Sequence, residues 1–158
     1  MWSHRWYVND TDHGATGPSV GGASNLSGGA RIGQSKYWLG DYTTEPENGG
    51  LGVFAHEFGH DLGLPDFYDT DGGENSTAFW TLMSSGSWLG HGAAAGEGIG
   101  TTPGLMGAEE KMFLGWLDYS TVDTGSSGSY TLNPSQLHVD GKDQAVRVNL
   151  PAKTVSTP

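Results

Sequence analysis

Apolar residues cluster where the chain reads as helix or strand and thin out between. From Leu51 to Leu64 they fall at Leu51, Val53, Phe54, Ala55, Phe58, Leu62 and Leu64, a broad face at helical spacing after the turn-rich lead-in Glu47-Asn48-Gly49-Gly50. Leu51, Phe54, Phe58 and Leu62 keep to three- and four-residue steps and are the expected buried stripe. Gly63 and Pro65 stop this helix, because glycine tolerates positive φ and proline cannot continue the ladder. A second helix is expected over Pro103 to Leu117, where Leu105, Met106, Ala108, Met112, Phe113 and Trp116 recur at helical steps and Gly115 sits at the end. Met1 to Val8 and Ser35 to Thr44 read as strands ahead of the first helix, and Tyr130-Thr131-Leu132 and Ala145 to Leu150 as short strands after the second. Asn9 to Gln34 and Leu89 to Thr102 are rich in glycine and turn dipeptides, so they read as loops. The class is α+β, in the order strand, loop, strand, helix, loop, helix, strands.

Composition narrows what such a chain can do. Its 158 residues are one domain's worth, but only 35% are hydrophobic and 27 are glycine, so much of it must be loop. A formal net charge of −11 with only seven lysines and arginines speaks against nucleic acid, whose binding rests on phosphate neutralisation. There is no cysteine, which excludes disulfides and thiolate metal sites. No apolar run of about eighteen residues suggests a membrane span, and no basic-then-apolar start reads as a signal peptide. If the protein is exported, the signal is expected outside this sequence.

The helix from Leu51 carries the chemistry. It contains His56-Glu57-Phe58-Gly59-His60, followed by Asp61-Leu62-Gly63-Leu64-Pro65-Asp66, which spells H-E-x-x-H-x-x-G-x-x-D. Residues four apart stand one turn above each other, so His56 and His60 can aim imidazole nitrogens at a common point. Zinc suits that point, since it takes imidazole at roughly 2.0–2.1 Å and tolerates three protein ligands with a position open for water. Glu57 is placed to act on that water as general base. The turn at Gly63 brings Asp66 back as third ligand, with Asp69, His91, Glu109 and Glu110 as rivals; exposed helix charge is the expected reading of Glu109 and Glu110. Two merely solvated histidines would be the bland reading of the helix, and the joint presence of spacing, acid and stop signal weighs against it.

Two further stretches carry weaker signals. Asp69, Asp71 and Glu74 around Gly72-Gly73 offer hard oxygen ligands, making calcium a second candidate cation, against the plain reading of an acidic solvated loop. Met83, in a tight small-residue turn between Trp80 and Trp88, is either a core gap-filler or an apolar floor beneath the metal, the Met-turn of zinc peptidases.

The strings H-E-F-G-H-D-L-G-L-P-D, Y-D-T, W-T-L-M-S-S-G-S-W and E-E-K-M-F-L-G-W-L, with the W-S-H-R start, resemble the immune inhibitor A family of bacterial zinc metallopeptidases, a metzincin-like group. The resemblance implies a metzincin-like catalytic domain over residues 1–120, truncated in its N-terminal sheet, and a β-rich segment over 121–158 leading into a further domain. It also implies a secreted endopeptidase made with a pro-segment, using zinc on protein or peptide substrates, with neither nucleic acid nor membrane as partner. A non-catalytic, calcium-binding remnant and a zinc hydrolase of non-peptide substrates are the competing readings.

Overall fold

In the computed structural model, which describes residues 3–8, 29–73, 77–90 and 98–152, helix α1 spans Leu51–Asp61. Its first amides, which have no partner inside a helix, are satisfied from outside: Gly50 N–H donates to the Ile99 carbonyl at 2.9 Å and Gly52 N–H to that of Gly100 at 2.8 Å. At the other end Gly63 takes φ +94°, its N–H donates to His60 O at 2.9 Å, and Leu64 N–H reaches back to Gly59 O at 3.0 Å. That paired closure is a Schellman stop, and it turns the chain back along the helix.

The expected buried stripe of α1 is a correction. Leu51 is 69% exposed and Phe58 60%, Phe54 is exposed and Leu62 half-buried; the covered residues are Gly52, Val53, His56, Glu57 and Gly59. The reason is steric. Gly52 lets the helix settle on residues 87 and 103, where an added Cβ would lie 2.2 Å from Ser87 O, and Gly59 lets it settle on Met83, where an added Cβ would lie 2.4 Å from Sδ. The two glycines draw the helix down on the His56 and Glu57 side, and the more apolar face is left outward. Val53, Leu64, Leu82 and Met83 form the small core beneath it, with Leu117 and Ala145 buried further along the chain.

The remaining elements form a small mixed helix-and-strand fold. Strand β1 (His4–Tyr7) pairs antiparallel with β4 (Asp41–Thr44), and β2 (Ala30–Arg31) with β3 (Trp38–Leu39). The single strand expected over Ser35 to Thr44 is thus two, and β2 falls within the stretch expected to be loop, of which residues 9–28 lie outside the described residues. Arg5 on β1 donates from Nε to Asp61 Oδ1 at 2.6 Å and also bonds Asp41. A guanidinium there offsets a carboxylate at the electronegative end of α1. Helix α2 is only Ala108–Phe113, shorter than expected, because residues 103–107 are not helical and the Leu105 carbonyl there accepts Leu82 N–H at 3.3 Å. Strand β6 (Ala145–Asn149) lies where a strand is expected, but its partner is β5 (Tyr119–Asp123), parallel to it; Tyr130 to Leu132 form no strand. Pairing, not local propensity, decides that outcome.

Gly52→Ala should destabilise the fold by about 1–3 kcal/mol despite alanine's better helix propensity, because backbone at Ser87 cannot step aside as a side chain can. Gly59→Ala, which meets the flexible Met83 thioether, should cost less. Denaturant unfolding of the two variants beside wild type checks the order.

Candidate metal centre

Three side chains meet where α1 ends and the chain doubles back. His56 and His60 project from one face of α1 with ring centroids 4.8 Å apart and planes at 87°, and Asp66 returns to them after the Gly63 turn. Asp66 Oδ1 lies 3.1 Å from His56 Nε2 and 3.3 Å from His60 Nε2. One donor atom from each of the three lies within 4.8 Å of the others, and among the described residues no other His, Asp and Glu group is gathered in this way.

Backbone carbonyls fix the opposite edge of each ring. His56 Nδ1 faces Leu82 O at 2.9 Å, and His60 Nδ1 faces Leu64 O at 2.8 Å. A neutral imidazole that donates from Nδ1 presents a lone pair at Nε2. Two nitrogen lone pairs therefore converge with carboxylate oxygen Asp66 Oδ1, an arrangement that repels itself unless a cation stands among them. Two imidazole nitrogens and one carboxylate oxygen are a donor set that zinc accepts.

Without a metal, protons serve. Burial by itself would raise the Asp66 carboxyl, but hydrogen bonds and charge from His56 and His60 outweigh it and hold the group well below the usual carboxylate range. The hydrogen bond to Asp66 raises His60 above its ordinary value, against the opposing effect of burial. Burial, then the Asp66 charge and a hydrogen bond to it, push the Tyr68 phenol up to about 12. Tyr68 therefore stays a donor at neutral pH, its ring stacked on His56 at 6.5 Å between centroids.

Glu57 is 3% exposed, and its Oε2 is buried with no hydrogen-bond partner among the described residues. It lines a cavity of about 650 Å³ together with His56, Tyr68, Val53, Trp88 and Ile99. Met83 is fully buried beneath Gly59, and its carbonyl accepts Phe67 N–H at 2.8 Å, which ties the segment bearing Asp66 to the same turn.

Other expected candidates do not join this group. Asp69 and Asp71 are exposed, and the Asp69 carboxylate accepts the Asp71 amide at 2.9 Å, closing its own turn; Glu74 and His91 lie outside the described residues. Glu109 is exposed on α2. Glu110, expected to be exposed as well, is 2% exposed and bonds Thr81, Met83 and Gly107, a correction explained by its place at the third position of α2, where a carboxylate turns back onto the helix start. Sequence reasoning also missed Glu45. Burial, then the charge of Glu57, raises its pKa, and its Oε2 is buried without a hydrogen-bond partner among the described residues. It sits one residue after β4, where nothing in the local pattern marks it.

The sequence matches the catalytic domain of the immune inhibitor A peptidases, family M6, over residues 1–117, and the chain belongs to that family. Immune inhibitor A of Bacillus thuringiensis subsp. alesti is 35% identical over 175 residues, covering 99% of this chain and 23% of the relative. Pre-pro-metalloprotease PrtV of Vibrio cholerae serotype O1 (strain M66-2) is 35% identical over 150 residues, covering 94% of this chain and 14% of the relative. The chain thus spans less than a quarter of either relative's length.

The proton-bridged cluster makes a pH prediction for the metal-free chain. His60, raised above 6.5, contributes stability that is complete below that value and is lost as pH rises through its folded pKa. Asp66, depressed below 3.8, contributes stability that is present above that value and lost as pH falls through its folded pKa. In chelator, the melting temperature of wild type relative to Asp66→Asn should therefore be highest between 3.8 and 6.5 and decline above it. Melting curves in chelator from pH 4 to 9 check the profile; a difference that does not vary with pH contradicts it.

Proposed function

We propose that this chain is the catalytic part of a secreted zinc-dependent endopeptidase, with His56, His60 and Asp66 holding the metal and Glu57 as general base. The observation that carries the reading is the convergence of His56 Nε2, His60 Nε2 and the Asp66 carboxylate beside the buried Glu57, whose Oε2 has no hydrogen-bond partner among the described residues. Membership of a peptidase family supports it, as do the names of the relatives, one of them a metalloprotease with pre- and pro-segments. Because the chain covers only part of those relatives, a pro-segment and further domains belong to the same proposal. Residues 1–120 form the metzincin-like catalytic region, with Met83 as its Met-turn, and 121–158 lead on from it.

Each side chain has a distinct task. His56 and His60 hold the metal through Nε2, their rings oriented by the Leu82 and Leu64 carbonyls, and Asp66 completes the set with a charge that partly neutralises the ion. Zinc, when bound, lowers the pKa of its water towards roughly 7 and polarises a carbonyl. Glu57 takes the proton of the attacking water and passes it to the departing amine. Burial of Glu57 against the cavity wall keeps bulk water from competing for that proton, and the cavity gives room for a peptide substrate beside it. Tyr68, held protonated, adds an O–H donor at the cavity wall.

Glu57→Gln should keep zinc and lose at least a hundredfold in peptide cleavage, in line with removing a general base. His60→Ala should lose both metal and cleavage. Elemental analysis beside a casein assay checks both variants, and a zinc-loaded Glu57→Gln that cleaves at the wild-type rate refutes the assignment of Glu57. A chain that binds zinc yet hydrolyses only non-peptide esters would favour the other hydrolase reading.

A further inference from the structure

We infer that Glu110 is a positioning residue for the His56 imidazole, acting through a single peptide unit; the inference rests on the reading of His56 as a metal ligand. The Glu110 carboxylate is buried and meets three donors. Its Oε1 accepts the Thr81 hydroxyl and the Met83 amide, the latter at 3.2 Å, and its Oε2 accepts the Gly107 amide at the start of α2. A carboxylate, acceptor at every lone pair, can meet all three donors at once.

The Met83 N–H and the Leu82 carbonyl are the two ends of one peptide unit. That unit is planar and trans, so its N–H and C=O point in opposite directions, and fixing one fixes the other. Glu110 holds the N–H edge, while the C=O edge faces His56 Nδ1 at 2.9 Å. Thr81, bonded to the same oxygen, anchors the residue before Leu82, so the unit is held from both sides. A charged acceptor on the N–H also polarises the peptide, which strengthens the carbonyl as an acceptor and raises the basicity of the imidazole as a ligand. Gly107, at the far side of the carboxylate, ties this arrangement to the start of α2. The chain of contacts runs from α2 through Glu110 and the Leu82–Met83 peptide to His56.

Glu110→Gln tests this. The amide keeps the size of the side chain but must turn its NH2 towards one set of donors, so either the peptide N–H or the α2 start loses its acceptor. In the metal-free, 15N-labelled chain, the His56 Nδ1–H resonance should move upfield, and its exchange with solvent should quicken. Zinc affinity, by chelator competition, should fall by about tenfold, on the scale seen when an outer partner of a metal ligand is lost. If Glu110→Gln does not fold, Glu110→Asp, which keeps the charge but withdraws the carboxylate from the Met83 N–H by one methylene, should move the same resonance the same way. A wild-type His56 resonance and exchange rate in the folded variant, with only the melting temperature lowered, would overturn the inference and leave Glu110 a fold-stabilising cap. A wild-type chain that binds no zinc would remove the metal reading, while the His56 resonance would still decide the role of Glu110.

Discussion

The contact between α1 and the turn Thr81–Ser84 is the constraint on which the site depends. The turn passes close beneath the helix, and glycine at position 59 leaves the Met83 thioether its place there. Once seated, the turn serves two of the three proposed ligands. Its Leu82 carbonyl orients His56, and its Met83 carbonyl holds Phe67, the residue after Asp66. His60 is served differently, by the Leu64 carbonyl, which the Gly63 stop brings back over the last turn of the helix. The Schellman closure and the Met83 turn are thus separate devices that converge on one point.

The cluster they build is unfavourable without a cation. Two imidazole lone pairs and a carboxylate cannot share a few ångströms of partly buried space unless a proton or a metal neutralises them. The depressed Asp66 and raised His60 pKa values express the proton solution, in which the His60 imidazole donates to the Asp66 carboxylate. A divalent metal is the other solution, and near neutral pH it competes against fewer protons. The same geometry that costs the metal-free chain stability as pH rises would, under the proposed function, favour metal capture at the pH where a zinc-bound water becomes a nucleophile.

How much was legible in the sequence follows from how local each feature is. Helix α1, its stop at Gly63 and the return of Asp66 are short-range consequences of a few residues, and each is present in the structure. The buried face of α1 was not legible, because the apolar period points to Leu51, Phe54 and Phe58, whereas close approach at Gly52 and Gly59 decides the packing. Glycine spacing was the available signal, and it reads as weakness in a helix until a neighbour is known. Tyr119–Asp123 was missed for a similar reason, since its strand exists through pairing with Ala145–Asn149. Glu110 looked like one of two surface acids; its burial depends on donors 27 and 29 residues away.

X-ray absorption at the zinc edge of the zinc-loaded chain addresses the ligand set itself. Two imidazoles with the remaining ligands oxygen, all at roughly 2.0–2.2 Å, is the expected ligand set, and His56→Ala, like His60→Ala, should bind no zinc. A shell of three imidazoles would transfer the third position from Asp66 to another histidine, and no bound zinc at all would contradict a metal centre on His56, His60 and Asp66.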